Sequence, residues 1–147
     1  MSTAWKDEAQ TQLRQAGHRA GPARGRLLEV LEERTCCASA AELHAAVVGS
    51  GAVIGLASVY RALDVLFENG LLQRVDVGDG TARFEPVSAS GAHHHHLVCN
   101  DCGRIEPFYD AVLERSIERV EAVSGYEVSA HDVVLRGACS DCRGAVL

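Results

Sequence analysis

Apolar positions recur at helical spacing through the first half of the chain, and short alternating runs follow. Thr3–Ala16 reads as a helix ended by Gly17. Pro22, whose fixed φ suits a first helical turn, opens Ala23–Glu33, with Leu27, Leu28, Val30 and Leu31 on one face. Ser39 is a good N-cap for Ala40–Val48, and Glu42 at the third helical position predicts a reciprocal capping box. After Gly49-Ser50-Gly51, Ser58–Asn69 is strongly amphipathic. Val59, Leu63, Leu66 and Phe67 line one side, and Asn69-Gly70 ends it.

Beyond Gly70 the period changes. Leu71–Val77, a Gly78-Asp79-Gly80 turn and Thr81–Glu85 predict a β-hairpin. Short helices followed by a hairpin describe a winged helix-turn-helix, placed here at residues 1–86. The small, polar stretch that follows predicts a hinge over 87–92. In residues 93–147, His93–Cys99 and Arg104–Tyr109 read as strands, Asp110–Ser124 as a helix and Tyr126–Arg136 as a long strand. The expected class is α+β: a winged-helix domain plus a small C-terminal α/β domain. That second unit is too small to bury much core alone and would expose strand edges, so pairing with a second copy is expected.

Composition changes this picture little. Of 147 residues, 47% are hydrophobic and 23% charged, ordinary values for a globular chain. No stretch reaches the roughly 20 apolar residues of a membrane span. The start, MSTAWKDEAQ, lacks a signal-peptide pattern, so a cytoplasmic protein without membrane association is expected. The six cysteines then suggest metal ligands or thiols rather than a disulfide framework. A net charge of −6 counts weakly against nucleic acid. However, Arg14, Arg19, Arg24 and Arg26 lie in a segment with no acidic residue, which leaves room for a local anion-binding face.

The strongest chemical signal is a pair of CxxC motifs, Cys99/Cys102 and Cys139/Cys142. Each pair can grip one side of a tetrahedral zinc ion, and together they close it. A redox CxxC normally starts a helix in a βαβ unit, which is not predicted here. Just before the first motif stand His93, His94, His95 and His96. If that run is extended, His93 and His95 face one way, and His94 and His96 the other. One short strand could then serve two metal sites, or one site with spare histidines. Ser58, Tyr60 and Arg61 open the most amphipathic helix, where a recognition helix reads bases. Arg14, Arg19 and Arg24 would neutralise phosphates.

Gly55-Leu56-Ala57-Ser58-Val59-Tyr60-Arg61-Ala62-Leu63, HHHHLVCNDCG at His93–Gly103 and CSDC at Cys139–Cys142 together resemble the ferric uptake regulator superfamily. The resemblance covers nearly the whole chain. It implies a homodimeric, metal-dependent transcriptional repressor of metal-uptake genes that acts on a pseudo-palindromic double-stranded operator. It assigns Cys99, Cys102, Cys139 and Cys142 to structural zinc. His94, His96 and Glu85 match a sensory site, whose ligand from the DNA-binding domain falls on Cys37. His93, His95, Glu114 and His131 match a further metal site. Some family positions differ. Gly21 and Ala23 stand where a threonine and a glutamine are usual, Pro107 where many members have a carboxylate, with Glu106 beside it, and Val87 where one zinc-sensing branch has cysteine.

The second, exchangeable cation is expected to be divalent. A thiolate at Cys37 places zinc ahead of iron, then nickel or manganese. Cys37 as a buried apolar thiol is the competing reading. The sensory ligands would straddle the hinge, so the metal would fix the orientation of the two domains. Three other functions fit parts of the pattern: an iron-loaded peroxide sensor of the same superfamily, a zinc storage or trafficking protein without DNA binding, and a hydrolytic metalloenzyme. The last lacks an HExxH helix.

Overall fold

The computed structural model describes residues 4–19, 21–88 and 92–144. It divides into two units, Met1–Ala92 and His93–Leu147. Of the segment expected as a hinge, residues 89–91 lie outside the described residues.

The first unit contains helices α1 (Trp5–Gln15) and α2 (Pro22–Glu33), strand β1 (Ala38–Ser39), helices α3 (Ala40–Gly49) and α4 (Leu56–Glu68), and strands β2 (Leu72–Val75) and β3 (Arg83–Pro86). Its sheet runs β1-β3-β2, antiparallel throughout, with Ala38 opposite Phe84 and Arg74 opposite Phe84 on the other side. Each helix turns its apolar stripe to one core. Leu13 comes from α1, Leu27, Leu28 and Leu31 from α2, Leu43 and Val47 from α3, and Val59, Leu63 and Leu66 from α4, with Phe84 beneath. Fully burying one such leucine stabilises the fold by about 1.5–3 kcal/mol. These few side chains therefore dominate its stability.

The predicted capping box at α3 is present, with both Ser39 and Glu42 engaged. The amphipathic helix begins at Leu56, two residues before the start expected from its sequence, because Gly55 in extended geometry serves as its N-cap. Strand β1 was not expected. It exists because two residues ahead of α3 find an open edge on β3.

The second unit contains β4 (His95–Cys99), β5 (Ile105–Phe108), α5 (Ala111–Ser124), β6 (Val134–Gly137) and a single-turn α6 (Ser140–Arg143). Strand β4 is central, antiparallel to β5 and parallel to β6, so α5 lies on the crossover. Asp110 caps α5 by accepting a hydrogen bond from Leu113 N–H at 2.8 Å. Gly125 ends it with φ of 76°, a conformation that favours glycine. The strand expected over Tyr126–Arg136 is confined to Val134–Gly137. Only that stretch meets β4, and a strand without a hydrogen-bonding neighbour is not a strand.

Among the described residues, the second unit buries little apolar side chain. No residue of α5 is buried, while Val112, Val120, Val123 and Tyr126 are each more than 60% exposed. Its buried residues are instead His95, His96 and Cys99. Polar, potentially metal-binding side chains take the buried positions among the described residues of this unit.

Candidate metal centres

The cysteine quartet forms at one end of β4. Cys99 closes the strand, and the turn after it brings Cys102 back, helped by Gly103 at φ of 76°, whose N–H reaches Cys99 O at 2.9 Å. Cys139 caps α6, and Cys142 lies within that helix. All four sulfurs lie within 4.8 Å of one another, with Cys102 Sγ and Cys139 Sγ 3.8 Å apart. Thiolates about 2.3 Å from a tetrahedral ion would stand about 3.8 Å apart, so the cluster fits zinc.

Backbone N–H groups of Cys102 and then Cys139 favour the Cys99 thiolate and bring its pKa down to about 6. Hydrogen bonding to Cys139, Cys102 and Cys99 pushes Cys142 up to about 12. Arg104 Nη2 meets Asp141 Oδ2 at 2.8 Å and ties the first knuckle to α6.

The alternation read from the histidine run is present in space. His93 and His95 converge with Glu114 on α5 and with His131, and the ligand atoms of these four residues all lie within 4.8 Å. Glu114 is the hub. Its Oε2 lies 3.1 Å from His93 Nε2 and 2.9 Å from His131 Nε2, and its Oε1 lies 2.5 Å from His95 Nε2. Hydrogen bonding from His95, and then from His131, holds the Glu114 carboxyl below the usual carboxylate value. Val133 N–H donates to His95 Nδ1 at 3.3 Å, which orients the ring with Nε2 toward the carboxylate. Three imidazoles and one carboxylate suit zinc or another borderline divalent ion.

On the other face, His94 and His96 stand with ring centroids 4.9 Å apart and their ligand atoms within 4.8 Å. In the first unit, Glu85 on β3 is 2% exposed and accepts a hydrogen bond from Gln73 Nε2 at 2.6 Å. Cys36 Sγ comes within 4.8 Å of a Glu85 oxygen. The family resemblance assigns a sensory ligand to Cys37, which is buried at 7% exposure. Hydrogen bonding to Cys36, and then burial, push the Cys37 thiol far up. Glu85 also acts on Cys37, raising its thiol further, so the carboxylate bears on both cysteines.

The expected DNA-facing residues fall on two surfaces. Tyr60 is 49% exposed on the second turn of α4, and Arg61 Nη2 donates to Ser58 Oγ at 2.8 Å. Arg14, His18 and Arg24 line a crevice of about 20 Å³ beside α1 and α2. Arg24 Nη1 donates to the Arg19 carbonyl at 2.8 Å, which fixes the guanidinium against the chain before α2. The wing carries Asp76 and Asp79, and Arg83 Nη1 is held by Asp79 at 2.7 Å.

A winged helix-turn-helix followed by a dimerisation-type domain with clustered histidines and cysteines defines a class, the metal-responsive transcriptional regulators. The chain belongs to the ferric uptake regulator family, whose model matches residues 15–136. It is 31% identical over 140 residues to the ferric uptake regulation protein of Bacillus subtilis, covering 94% of each chain. It is also 31% identical over 135 residues to the peroxide operon regulator of the same organism, covering 92% of this chain and 91% of that one. The crystal structure of the Vibrio cholerae ferric uptake regulator superposes with a TM-score of 0.78 at 35% identity, covering 90% of this chain and all of that one.

Proposed function

We propose that this protein is a homodimeric repressor whose grip on a pseudo-palindromic operator depends on an exchangeable divalent metal, zinc ahead of iron, then nickel or manganese. The reading rests on one observation. Each unit offers a pair of close ligands, Cys36 with Glu85 in the first and His94 with His96 in the second. Two ligands are half of what a tetrahedral ion takes. An ion that recruits both pairs couples the DNA reader to the dimer, and its occupancy then sets DNA affinity. A metal shifts that balance only by preferring the DNA-competent arrangement.

The donor types support zinc, since a thiol together with imidazoles makes a soft ligand set. The cysteine quartet would hold a separate, structural zinc. His93, His95, Glu114 and His131 would hold an additional ion within the dimerisation domain. The exposed apolar residues of α5 support self-association, because a lone copy would leave them in water. Ser58, Tyr60 and Arg61 would meet base edges, and Arg14, Arg19 and Arg24 phosphates. No helix among the described residues is long and apolar enough to cross a membrane, and we place the protein in the cytoplasm, where its DNA lies.

The test uses a duplex selected from a random-sequence pool with zinc present. His94→Ala with His96→Ala should abolish metal-stimulated binding while leaving a folded dimer with its quartet zinc. A double variant that responds to metal like the parent overturns the proposal. The kinship with a peroxide operon regulator supports a second reading, an iron-loaded peroxide sensor. Loss of DNA binding on peroxide treatment only in the iron-loaded protein would select it.

A further inference from the structure

Cys36 and Cys37 are adjacent in sequence, and their sulfurs are 4.0 Å apart. In an extended chain, neighbouring side chains point to opposite faces. Here the bend at Thr35 and Cys36, just ahead of β1, brings the two thiols together. Their separation is close to the 3.8 Å between Cys102 and Cys139 in the quartet, the spacing of two ligands on one tetrahedral ion. It does not suit a disulfide. Consecutive Cα atoms are about 3.8 Å apart, short of the roughly 4.4–6.8 Å that an unstrained disulfide spans. A Glu85 carboxylate oxygen within 4.8 Å of Cys36 Sγ adds an anionic donor suited to a cation. Burial of Cys37 at 7% exposure would also fit a small apolar filler, but a filler has no need of a second sulfur at ligand distance.

We propose that Cys36 and Cys37 form a two-thiolate chelate for a soft, thiophilic cation, with zinc and cadmium as its divalent members. For its regulatory meaning this rests on the metal-sensing reading above, while the chelate itself is a property of the first unit. Paired thiolates would discriminate against manganese and iron(II), which prefer oxygen and nitrogen donors. Cys37 would then be a ligand rather than packing.

The full-length protein, carrying zinc in the cysteine quartet alone, is titrated with up to one equivalent of cadmium(II). The sulfur-to-cadmium absorption is recorded, and any zinc released is measured in the filtrate. The expected band has the intensity of two thiolates. Cys36→Ser and Cys37→Ser should each lose about half of it, the double variant all of it, and His94→Ala with His96→Ala none. Serine is nearly isosteric with cysteine, and each single variant decides on its own. A Cys37→Ser band equal to the parent's overturns the proposal, as does a band that survives in the double variant or that tracks zinc release. Binding to the selected duplex, followed in the same samples, separates the two readings. A cysteine-dependent band with no change in DNA affinity defeats the sensing reading and leaves the chelate standing. Metal-stimulated DNA binding without such a band does the reverse.

Discussion

Glu114 on α5 and His95 on β4 are joined by a 2.5 Å hydrogen bond, and the same carboxylate receives His93 and His131 on its other oxygen. One side chain thus organises three rings, one of them 1% exposed. Glu114→Ala should remove the additional cation while leaving the quartet zinc in place, read as the loss of one metal per chain by elemental analysis. It should also lower Tm, because the His95 N–H loses its acceptor in a buried position. Glu114→Gln should restore part of the Tm but not the metal.

Cys99 sits where β4 ends, and the second unit has few buried apolar side chains to fall back on. Structural zinc typically contributes about 10–16 kcal/mol of apparent binding free energy. Cys99→Ser should therefore cost the bound zinc and unfold the second unit, while the first keeps its helical signal. Circular dichroism with limited proteolysis would read this. A variant that retained zinc and resisted protease would contradict the assignment.

Leu63 is fully buried on α4, among leucines from α2 and α3. Leu63→Ala should destabilise the first unit by about 2–5 kcal/mol. In denaturant unfolding the midpoint should fall with little change of slope, and DNA binding should fall with it.

Lys6 Nζ and Glu29 Oε1 meet at 2.6 Å and join α1 to α2. The lysine, with Arg26 beside it, holds the Glu29 carboxyl below its ordinary value, and Glu29 raises Lys6. The glutamate's stabilisation is present above the ordinary carboxylate range and is lost as pH falls through its lowered value. The lysine's is present below the ordinary lysine range and is lost as pH rises through its raised value. Lys6→Ala should thus lower Tm slightly at neutral pH, with the difference vanishing in strong acid and strong base.

Asp76 lies exposed on the wing, where its Oδ1 accepts from Gly78 N–H at 2.7 Å. Asp76→Asn keeps that acceptor and removes a charge that repels phosphate. The expected gain in DNA affinity is a few-fold, shrinking as salt rises. An affinity that fell would mean the aspartate contacts a base.

What could be read from the residues depended on how local the cause was. Ser39 with Glu42 announced a helix start because both partners lie within one turn. The histidine alternation was legible because a strand's period is two. The start of α4 was misplaced because a glycine without a side-chain cap took the position. Tyr126–Val133 has a strand's composition, but a strand also needs a neighbour, and no sequence window contains one. That Cys36 stands near Glu85 with its sulfur beside that of Cys37 depends on a bend in the chain, which residue spacing does not show. The arginine crevice needed α1 and α2 packed together before Arg14 and Arg24 could share it.

Strand β4 carries His95 and His96 at one end and Cys99 at the other. Inserting or deleting a single residue between His93 and Cys99 would swap which histidines face Glu114 and carry the cysteine knuckle to the opposite face, rewiring every cation pocket in one event. Metal preference in such a protein can therefore change by substitution but not by insertion or deletion along that ribbon. Positions 36, 37, 85, 114 and 131 are where new selectivities can arise one mutation at a time.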